Sequence, residues 1–319
     1  MKTESKNAKD LHDGRKFSYE KVTEYHKKYI NSETGLVKED LITTRTCPAC
    51  GENDFNQMFI KSGGTYVKCN KCSMVYLNPL LKPDALNEYY TNLNTGQYQV
   101  TENEKDFYFE IYSIGLNKIE KFSKGGKLLD IGCSSGYFLD VSKERNWETY
   151  GIELGVEEAD MAKAKGHILF DKLIHELETD VKFDAISMWD VFEHIPDSVV
   201  TLNSIAKFLN PQGVFFMQIP NSGSLATRIM HQDSRMFDGI EHVNLYNPRT
   251  VHHIADRCGF VVLSLDTVIS EISVTNNYMN YNHPYFGTDS ISFLGDIINE
   301  SKIHELLMGY KMQVVLRKK

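Results

Sequence analysis

The chain has 319 residues, 41% of them hydrophobic, and a formal net charge of −8. This length allows one large domain with an accessory module, and the hydrophobic fraction allows a buried core, which excludes wholesale disorder. The acidic balance disfavours a general attraction to nucleic acid or to an anionic membrane. The longest apolar runs are too short to span a bilayer, and the polar N-terminus lacks a signal-peptide core, so we expect a cytoplasmic protein.

Residues 1–45 are predicted to form a polar N-terminal extension, with one helix around SYEKVTEYHKKYI. The next segment, 46–80, contains two Cys-x2-Cys pairs separated by eighteen residues. The four cysteines are Cys47, Cys50, Cys69 and Cys72. The residues between the two pairs predict a β-hairpin with Gly63 and Gly64 at its tip.

The two cysteine pairs have the spacing of a four-thiolate zinc site. Two disulfides, or four unrelated buried thiols, are the alternatives, but disulfides are disfavoured in a cytosolic chain. Four thiolates leave no open position for water or substrate. We therefore predict one structural zinc ion in a small zinc-ribbon module.

Residues 81–126 predict two helices, which form a linker or a lid over a cofactor. From residue 127 onward, apolar strands alternate with amphipathic helices. The predicted strands are KLLDIG, ETYGIE, HILFD, FDAISMWD, GVFFMQIP, FVVLSLDTV and KMQVVLRK. This alternation predicts a doubly wound α/β sheet over residues 127–319.

A short glycine turn follows the first of these strands, in the stretch KLLDIGCSSGYFL. Asp130 ends the strand, and Gly132 and Gly136 allow a tight turn with close approach of the backbone to a ligand. The next helix would present its N-terminal N–H groups to that ligand. A dinucleotide site would have the wider spacing G-x-G-x-x-G. Glu153, at the end of the second strand, can accept hydrogen bonds from both ribose hydroxyls of an adenosine group.

Three motifs, LLDIGCSSGYFL, GIELG and FDAISMWDVFEHIPD, together resemble the class I S-adenosylmethionine-dependent methyltransferases over about residues 105–319. The resemblance implies a Rossmann-like, doubly wound, seven-stranded sheet with an antiparallel last strand, preceded here by the zinc ribbon. That family often has glycine where Ser134 stands, and a serine fits such a turn if its φ angle stays negative. A coincidental loop in another α/β enzyme is the alternative.

The resemblance also implies the cofactor site. Asp130 would orient the cofactor's ammonium group or a water beside it, Glu153 would hold the ribose, and backbone near Asp171 would flank the adenine. Asp190 would lie near the cofactor's amine, while Trp189, for which core packing is an equal alternative, would line the site. The full set of predicted cofactor-binding residues is Asp130, Gly132, Cys133, Gly136, Glu153, Asp171, Trp189, Asp190 and His194.

The predicted catalytic residues lie in DGIEHVNLYNPRTV, after the fifth strand. This segment is similar to the E-H-x-x-x-(F/Y) segment of several bacterial small-molecule and sugar methyltransferases. His242 has a suitable pKa for a general base, with Glu241 beside it and Tyr246 before a helix capped at Asn247. The alternative is that the histidine only holds the loop in place.

A zinc ribbon before these motifs resembles enzymes that modify sugars of bacterial surface polysaccharides and related natural products. O-methylation of a sugar or another small hydroxylated metabolite is therefore the leading hypothesis. The alternatives are an RNA methyltransferase whose zinc ribbon contacts RNA, disfavoured by the acidic balance, and a non-catalytic protein that binds cofactor or a partner. The sequence makes no prediction of oligomeric state.

Overall fold

The helices and strands of the computed structural model follow the predicted alternation over the residues it describes, 16–92, 104–286 and 293–319. The strands are β1 Ile42–Thr43, β2 Phe55–Lys61, β3 Gly64–Cys69, β4 Val75–Leu77, β5 Leu80–Leu81, β6 Gly126–Ile131, β7 Trp147–Ile152, β8 Ile168–Phe170, β9 Phe183–Trp189, β10 Leu209–Pro220, β11 Asn244–Leu245, β12 Phe260–Val268 and β13 Lys311–Lys318. The helices are α1 Lys16–His26, α2 Pro83–Asn92, α3 Lys105–Glu120, α4 Tyr137–Glu144, α5 Val156–Ala164, α6 Ser198–Phe208, α7 Leu225–Met230, α8 Pro248–Arg257, α9 Ile272–Met279, α10 Phe293–Ile297 and α11 Glu300–Glu305. Parts of the predicted extension and of the 81–126 linker, residues 1–15 and 93–103, lie outside the described residues.

All seven strands predicted from residue 127 onward are present, and they form one mixed sheet in the order β12-β13-β10-β9-β6-β7-β8. The last strand, β13, runs antiparallel, as predicted. Strand β6 pairs in parallel with both β7 and β9. The strand order therefore reverses at β6, and ligands of doubly wound sheets bind at such a reversal, beyond the carboxyl ends of the strands.

The central strands are buried on both faces. Leu128 and Leu129, which point to opposite faces of β6, are both fully buried. Continuous apolar runs of this kind are typical of parallel strands covered by helices on each side. Asp130 and the glycine turn lie at the carboxyl end of this buried strand, and therefore at the carboxyl edge of the sheet.

The chain divides into two compact units. The sheet unit contains the described residues of 98–219, 251–266 and 312–319, and the ribbon unit contains those of 1–97, 220–250 and 267–311. Two of these segments, 220–250 and 267–311, were predicted from the sequence as part of a 127–319 domain. In the structure they cluster with the cysteine-bearing segment.

A four-stranded sheet organises the ribbon unit, in the order β11-β4-β3-β2. The predicted hairpin is present as β2 and β3, which pair antiparallel. Strand β11 pairs antiparallel with β4, so the two residues Asn244 and Leu245 extend the ribbon's own sheet. A small second pair, β1 with β5, completes the strands of this unit.

One hydrophobic core unites the three sequence segments of the ribbon unit. The ribbon contributes Tyr66 and Leu77, the 220–250 segment contributes Phe237 and Leu245, and the third segment contributes Tyr285 among others. Each fully buried side chain of this size stabilises the unit by about 1.5–3 kcal/mol. This shared burial explains why segments so distant in sequence cluster together.

Candidate functional site

The turn after β6 depends on backbone conformations that favour glycine. Gly132 has φ +75°, and a Cβ placed there would lie 2.6 Å from a side-chain carbon of Val191. Gly136, at φ +82°, ends the turn directly before α4. The Gly132 N–H donates to the carbonyl of Ile152 at 2.8 Å, which fastens the turn to the end of β7.

The condition stated for a serine at position 134, a negative φ, is not met. The φ of Ser134 is +47°, in the left-handed region that costs a side-chain-bearing residue roughly 1–2 kcal/mol. In this conformation the Ser134 N–H donates to Glu153 Oε2 at 2.8 Å. The hydrogen bond to a carboxylate offsets the strain, since charge-assisted bonds are the stronger kind.

Glu153 follows β7 directly and organises the turn. Its Oε2 accepts from Ser134, and its Oε1 accepts from the Gly155 N–H at 2.8 Å. Burial raises the pKa of this carboxyl, and the two backbone donors oppose that rise. The sequence indicated only a ribose-binding role for Glu153, and its role in positioning the turn was not predicted.

Asp130 is buried at the end of β6, with 3% of its surface exposed. The Ser187 hydroxyl on β9 donates to its Oδ1 at 2.7 Å. Burial raises the pKa of Asp130 to about 8, partly opposed by the Ser187 hydrogen bond, while the charge of Glu153 adds to the rise. A desolvated carboxyl at this position is suited to a cationic partner, because an opposite charge restores the ionised form.

Trp189 ends β9 and packs among aromatic rings. Its ring centroid lies 4.8 Å from Tyr112, 4.9 Å from Phe138 and 4.7 Å from Phe216. Its buried indole N–H finds no hydrogen-bond acceptor among the described residues. Trp189 therefore packs in the core, which was the alternative considered for it. The same side chain also has a buried N–H donor without an acceptor among the described residues.

A line of buried amides positions Asp190. The Gln218 amide on β10 donates to Asp190 Oδ2 at 3.1 Å, and the Gln313 amide on β13 donates to Gln218 Oε1 at 3.0 Å. Asp190 itself has φ +55°. Sequence reasoning missed both glutamines, although a glutamine within an otherwise apolar buried strand was an available signal.

The three remaining predicted cofactor residues, Cys133, Asp171 and His194, differ in exposure. Cys133 is buried, and a Cβ on Gly151 of β7 would lie 2.5 Å from its sulfur. Asp171 is exposed directly after β8. His194 is half-buried at the end of the short helical turn Phe192–His194.

The four predicted cysteines of the ribbon unit come together. Their sulfur atoms all lie within 4.8 Å of one another, with Cys47 and Cys72 at 3.5 Å and Cys50 and Cys69 at 3.5 Å. A tetrahedral zinc ion with Zn–S bonds of about 2.3 Å holds its sulfurs roughly 3.8 Å apart. The donor set and its spacing therefore fit one zinc ion.

Both cysteine pairs adopt the same local fold. The Gly51 N–H donates to the Cys47 carbonyl at 2.8 Å, and the Ser73 N–H donates to the Cys69 carbonyl at 3.0 Å. Gly51 and Ser73 share a left-handed backbone, with φ of +80° and +64°. The Asn247 amide donates to the Ser73 carbonyl at 3.1 Å, so the residue that caps α8 also braces the second cysteine pair.

Residues 236–247, named the EH loop, include the two-residue strand β11 and hold the predicted catalytic residues. Asp238 organises this loop, because its Oδ1 accepts from the backbone N–H groups of Ile240 at 2.9 Å and Glu241 at 2.8 Å, and also from His242 at 3.2 Å. The Tyr66 hydroxyl on β3 accepts from the Gly239 N–H at 3.1 Å.

His242 has a defined ring orientation. Its Nδ1 lies 2.8 Å from the Met236 carbonyl oxygen, which can only accept a hydrogen bond. The neutral ring therefore carries its proton on Nδ1, and Nε2 is the basic nitrogen. Asp238 Oδ2 lies 3.3 Å from Nδ1 and would stabilise the ring when it becomes charged.

Glu241 and Tyr246 lie deeper in the ribbon unit. The Tyr89 hydroxyl donates to Glu241 Oε1, and His26 Nε2 lies 2.7 Å from that hydroxyl. Glu241 thus belongs to a buried network with α1 and α2, which nothing in the sequence indicated. Tyr246 is fully buried.

Comparison with known proteins decides the family. A family model of a methyltransferase domain matches residues 106–265, half of the chain. The chain is a member of the S-adenosylmethionine-dependent methyltransferases. The family predicted from the three motifs is confirmed.

Individual relatives of this methyltransferase are distant. A ubiquinone biosynthesis O-methyltransferase of Bartonella tribocorum is 27% identical over 167 residues, 48% of this chain and 65% of the relative. One of the same name from Haemophilus ducreyi is 29% identical over 111 residues, 30% of this chain and 46% of the relative. The chain thus spans less than two thirds of the length of these curated relatives. A solved methyltransferase of Thermotoga maritima, a possible histamine N-methyltransferase, shares 14% identity and a TM-score of 0.46, covering 68% of this chain and 95% of that one.

The polar groups of the methyltransferase's sheet unit fit the family's cofactor. S-adenosylmethionine carries a sulfonium and an ammonium group, and the buried carboxyl of Asp130 suits a cation. Two buried polar atoms, Trp189 Nε1 and Ser135 Oγ, have no partner among the described residues and would gain one from a polar ligand. Across the described ranges, every helix is too short or too polar to cross a membrane.

Proposed function

We propose that this methyltransferase transfers a methyl group from S-adenosylmethionine to a hydroxyl oxygen of a sugar or another small hydroxylated metabolite. The observation that carries the proposal is the hydrogen bond of His242 Nδ1 to the Met236 carbonyl. It assigns the basic nitrogen of a neutral imidazole, which is what the deprotonation of a hydroxyl requires. The EH loop that holds this ring is fixed by backbone hydrogen bonds to Asp238.

In this proposal the sheet unit binds the methyl donor, which supplies an electrophilic methyl group. Asp130 would pair with its ammonium group, Glu153 would accept from its ribose hydroxyls, and Asp190 would lie near its amine. Gln218 and Gln313 would hold Asp190 in place. These groups bind and orient, because an in-line displacement depends mainly on positioning.

His242 would take the hydroxyl proton at Nε2. As the ring gains charge, its Nδ1–H continues to donate to Met236, and the Asp238 carboxylate stabilises the imidazolium. Glu241 would act in the loop rather than on the proton, since its carboxylate accepts from Tyr89. Tyr246, fully buried, is a less suitable base.

Two observations support a small hydroxylated acceptor. Relatives at 27% and 29% identity are named O-methyltransferases, which act on oxygen. The chain's net charge of −8 opposes binding of a polyanion such as RNA. The proposal does not extend to the particular acceptor of those relatives.

The cysteine cluster would hold one structural zinc ion. All four donors are cysteine sulfurs, so a bound zinc ion would have no open position for water or substrate. Its contribution would be to the folding of residues 46–80 and of the strand β11 that pairs with them.

A methyl-transfer screen tests the reaction class. The whole chain is incubated with tritiated S-adenosylmethionine and with free sugars, nucleotide sugars, small phenols and total RNA in separate reactions. Label on a hydroxyl of a small acceptor is the expected result. Label on RNA alone would replace the proposal with the RNA alternative, and cofactor binding without any transfer would favour a non-catalytic protein.

Replacing His242 by Ala should lower turnover by about 10²–10⁴-fold, because the general base is removed. Cofactor affinity, measured by calorimetry, should stay nearly constant. The matched control is His252→Ala, which removes an exposed histidine outside the EH loop. A fall in melting temperature without a specific loss of turnover would show that His242 only holds the loop.

A further inference from the structure

The ribbon unit contains a cavity that has no part in the proposed reaction. Its volume is about 670 Å³, within the range of cavities that hold small organic ligands. Its walls come from β2, from the segment after α7 and from the residues at the end of α9. The side chains that matter below are Lys61, Asp233, Arg235, Tyr278, Tyr281 and His283.

Tyr281 stands at this cavity in a backbone position that normally belongs to glycine. The Tyr281 N–H donates to the Tyr278 carbonyl at 3.1 Å, and the Asn282 N–H donates to the Asn277 carbonyl at 3.0 Å. These two bonds are those of a Schellman cap, whose left-handed residue is usually glycine. Tyr281 occupies it with φ +59°.

The Tyr281 ring gains nothing from packing that would offset this strain, since the residue is 100% exposed. A bulky residue in the left-handed region is an outlier, and such outliers concentrate at functional sites. An exposed aromatic ring held at a cavity is suited to stacking on a flat group of a ligand.

Arg235 presents a positioned cation to the cavity. Its guanidinium carbon lies 4.1 Å from the ring centroid of Tyr285 and 4.7 Å from that of Phe286. Its backbone N–H donates to the Tyr285 hydroxyl at 2.7 Å. A guanidinium stacked in this way keeps its planar fork of donors pre-organised, which suits bidentate binding of phosphate.

His283 also lines the cavity, and its tautomer is defined. Its Nδ1 accepts from the backbone N–H groups of Tyr285 at 3.2 Å and Phe286 at 3.1 Å. A nitrogen that accepts two N–H groups carries no proton, so the neutral ring has its proton on Nε2. Nε2–H is therefore a hydrogen-bond donor.

The charges of the cavity favour an anion. Among the described lining residues, Lys61 and Arg235 are cations and Asp233 is an anion, which leaves an excess of one positive charge. We propose that the cavity binds a small organic phosphate with a ring, the phosphate contacting Arg235 and Lys61 and the ring lying against Tyr281. None of the described lining residues has a role in the proposed methyl transfer, so this binding site is separate from that reaction.

Calorimetry with the full chain tests it. The probes are glucose 1-phosphate, uridine 5′-monophosphate and inorganic phosphate, with glucose and uridine as phosphate-free counterparts. We expect one ring phosphate to bind at least about 10-fold more tightly than inorganic phosphate and than its phosphate-free counterpart. Which of the two binds better identifies a sugar or a base as the ring.

Variants separate the contributions. Lys61→Gln and Arg235→Gln should each weaken binding about 10- to 100-fold, because each removes a charged donor to phosphate. Tyr281→Gly should weaken binding about 10-fold through the lost stacking, yet raise the melting temperature by about 2 °C by relieving the left-handed strain. Opposite signs of the two effects are not expected of a purely structural residue.

Leu307 offers a matched control, because it has the same left-handed helix cap as Tyr281 at another place in the chain. Leu307 follows α11 with φ +54° and the same pair of cap hydrogen bonds, at 3.0 and 2.8 Å. Leu307→Gly should leave ligand binding unchanged. The proposal would be overturned by no binding of either ring phosphate, by equal binding of inorganic phosphate, or by unchanged binding in Tyr281→Gly. Stronger binding of a single-stranded RNA oligomer than of either small phosphate would also overturn it.

Discussion

In two loops of this methyltransferase, one carboxylate accepts hydrogen bonds from several backbone N–H groups. The two loops differ in how far apart in the sequence their supporting elements lie. In the turn from Gly132 to Gly136, the predicted cofactor turn, the Glu153 carboxylate accepts from the backbone of Ser134 and Gly155. In the EH loop, the Asp238 carboxylate accepts from three consecutive residues, among them His242. The first loop is complete within one strand–turn–helix–strand segment, whereas the second also needs β3 and β4 of the ribbon. A local motif can be recognised in a sequence, but a loop built on distant strands cannot.

The largest expected effect comes from disrupting the cysteine cluster of the ribbon, whose strand β4 pairs with β11 of the EH loop. Cys69→Ser should lower the zinc content from one ion per chain to near zero, because one of four thiolates is lost. Hydrogen exchange in residues 46–80 and 236–247 should then rise, since β11 pairs with β4. S-adenosylmethionine affinity should change little, because the cofactor turn is built within the sheet unit.

The control for this experiment is Cys258→Ser, which alters a half-buried cysteine outside the cluster. It should keep both the metal and the exchange pattern. If Cys69→Ser loses zinc but leaves exchange in residues 236–247 unchanged, the EH loop does not depend on the ribbon and the contrast between the loops fails.

Some features of the fold and of the candidate site could be predicted from the sequence, and others could not. The seven strands and the cysteine cluster follow from local patterns of period and spacing, and the antiparallel last strand was implied by the family resemblance. The positive φ of Ser134 could not be foreseen, because it depends on a hydrogen bond to a carboxylate at the end of the next strand. The Glu241–Tyr89–His26 network was equally inaccessible, since it joins residues far apart in the chain.

The next largest effect is expected on cofactor affinity when the Glu153 carboxylate is removed. Glu153→Ala should weaken S-adenosylmethionine binding by about 1.5–3 kcal/mol, because a charged acceptor is lost. Glu153→Gln keeps one acceptor oxygen and should lie between the wild type and the Ala variant. Calorimetry measures both. Equal affinity in all three proteins would remove Glu153 from the cofactor site.

A pH effect distinguishes Asp130 from its neighbours. Its folded-state pKa of about 8 lies above the unfolded value of roughly 3.9, so the folded protein favours the protonated carboxyl. The resulting stability is present below pH 4 and is lost as pH rises through 8, at up to about 1.4 kcal/mol per pH unit. In the cofactor-free protein, Asp130→Asn should remove this dependence of folding stability on pH.

Thermal unfolding at a series of pH values between 5 and 9 checks the Asp130 prediction, with wild type and variant compared at each pH. The difference in melting temperature should increasingly favour the Asn variant as pH rises to about 8 and should level off above that pH. A difference that stays constant over this range would mean that Asp130 is ionised throughout in the folded protein.

The smallest expected effect concerns strain in the cofactor turn. Ser134→Gly should raise the unfolding free energy by about 1 kcal/mol, because glycine adopts the left-handed backbone without the cost of a Cβ. Ser134→Ala is the matched control and should give no such gain, since alanine keeps the Cβ. The hydrogen bond from residue 134 to Glu153 is a backbone one and is retained in both.

The pairing of β4 with β11 also has a consequence for how the protein is made. Val75 pairs with Leu245, so about 170 residues must be synthesised after β4 before its partner exists. At about 5–20 residues per second, the outer edge of β4 stays open for roughly 10–30 seconds on the ribosome. An unpaired strand edge is a template for pairing with other chains. Slow translation between these strands would therefore favour aggregation of nascent chains, whereas rapid translation would protect them.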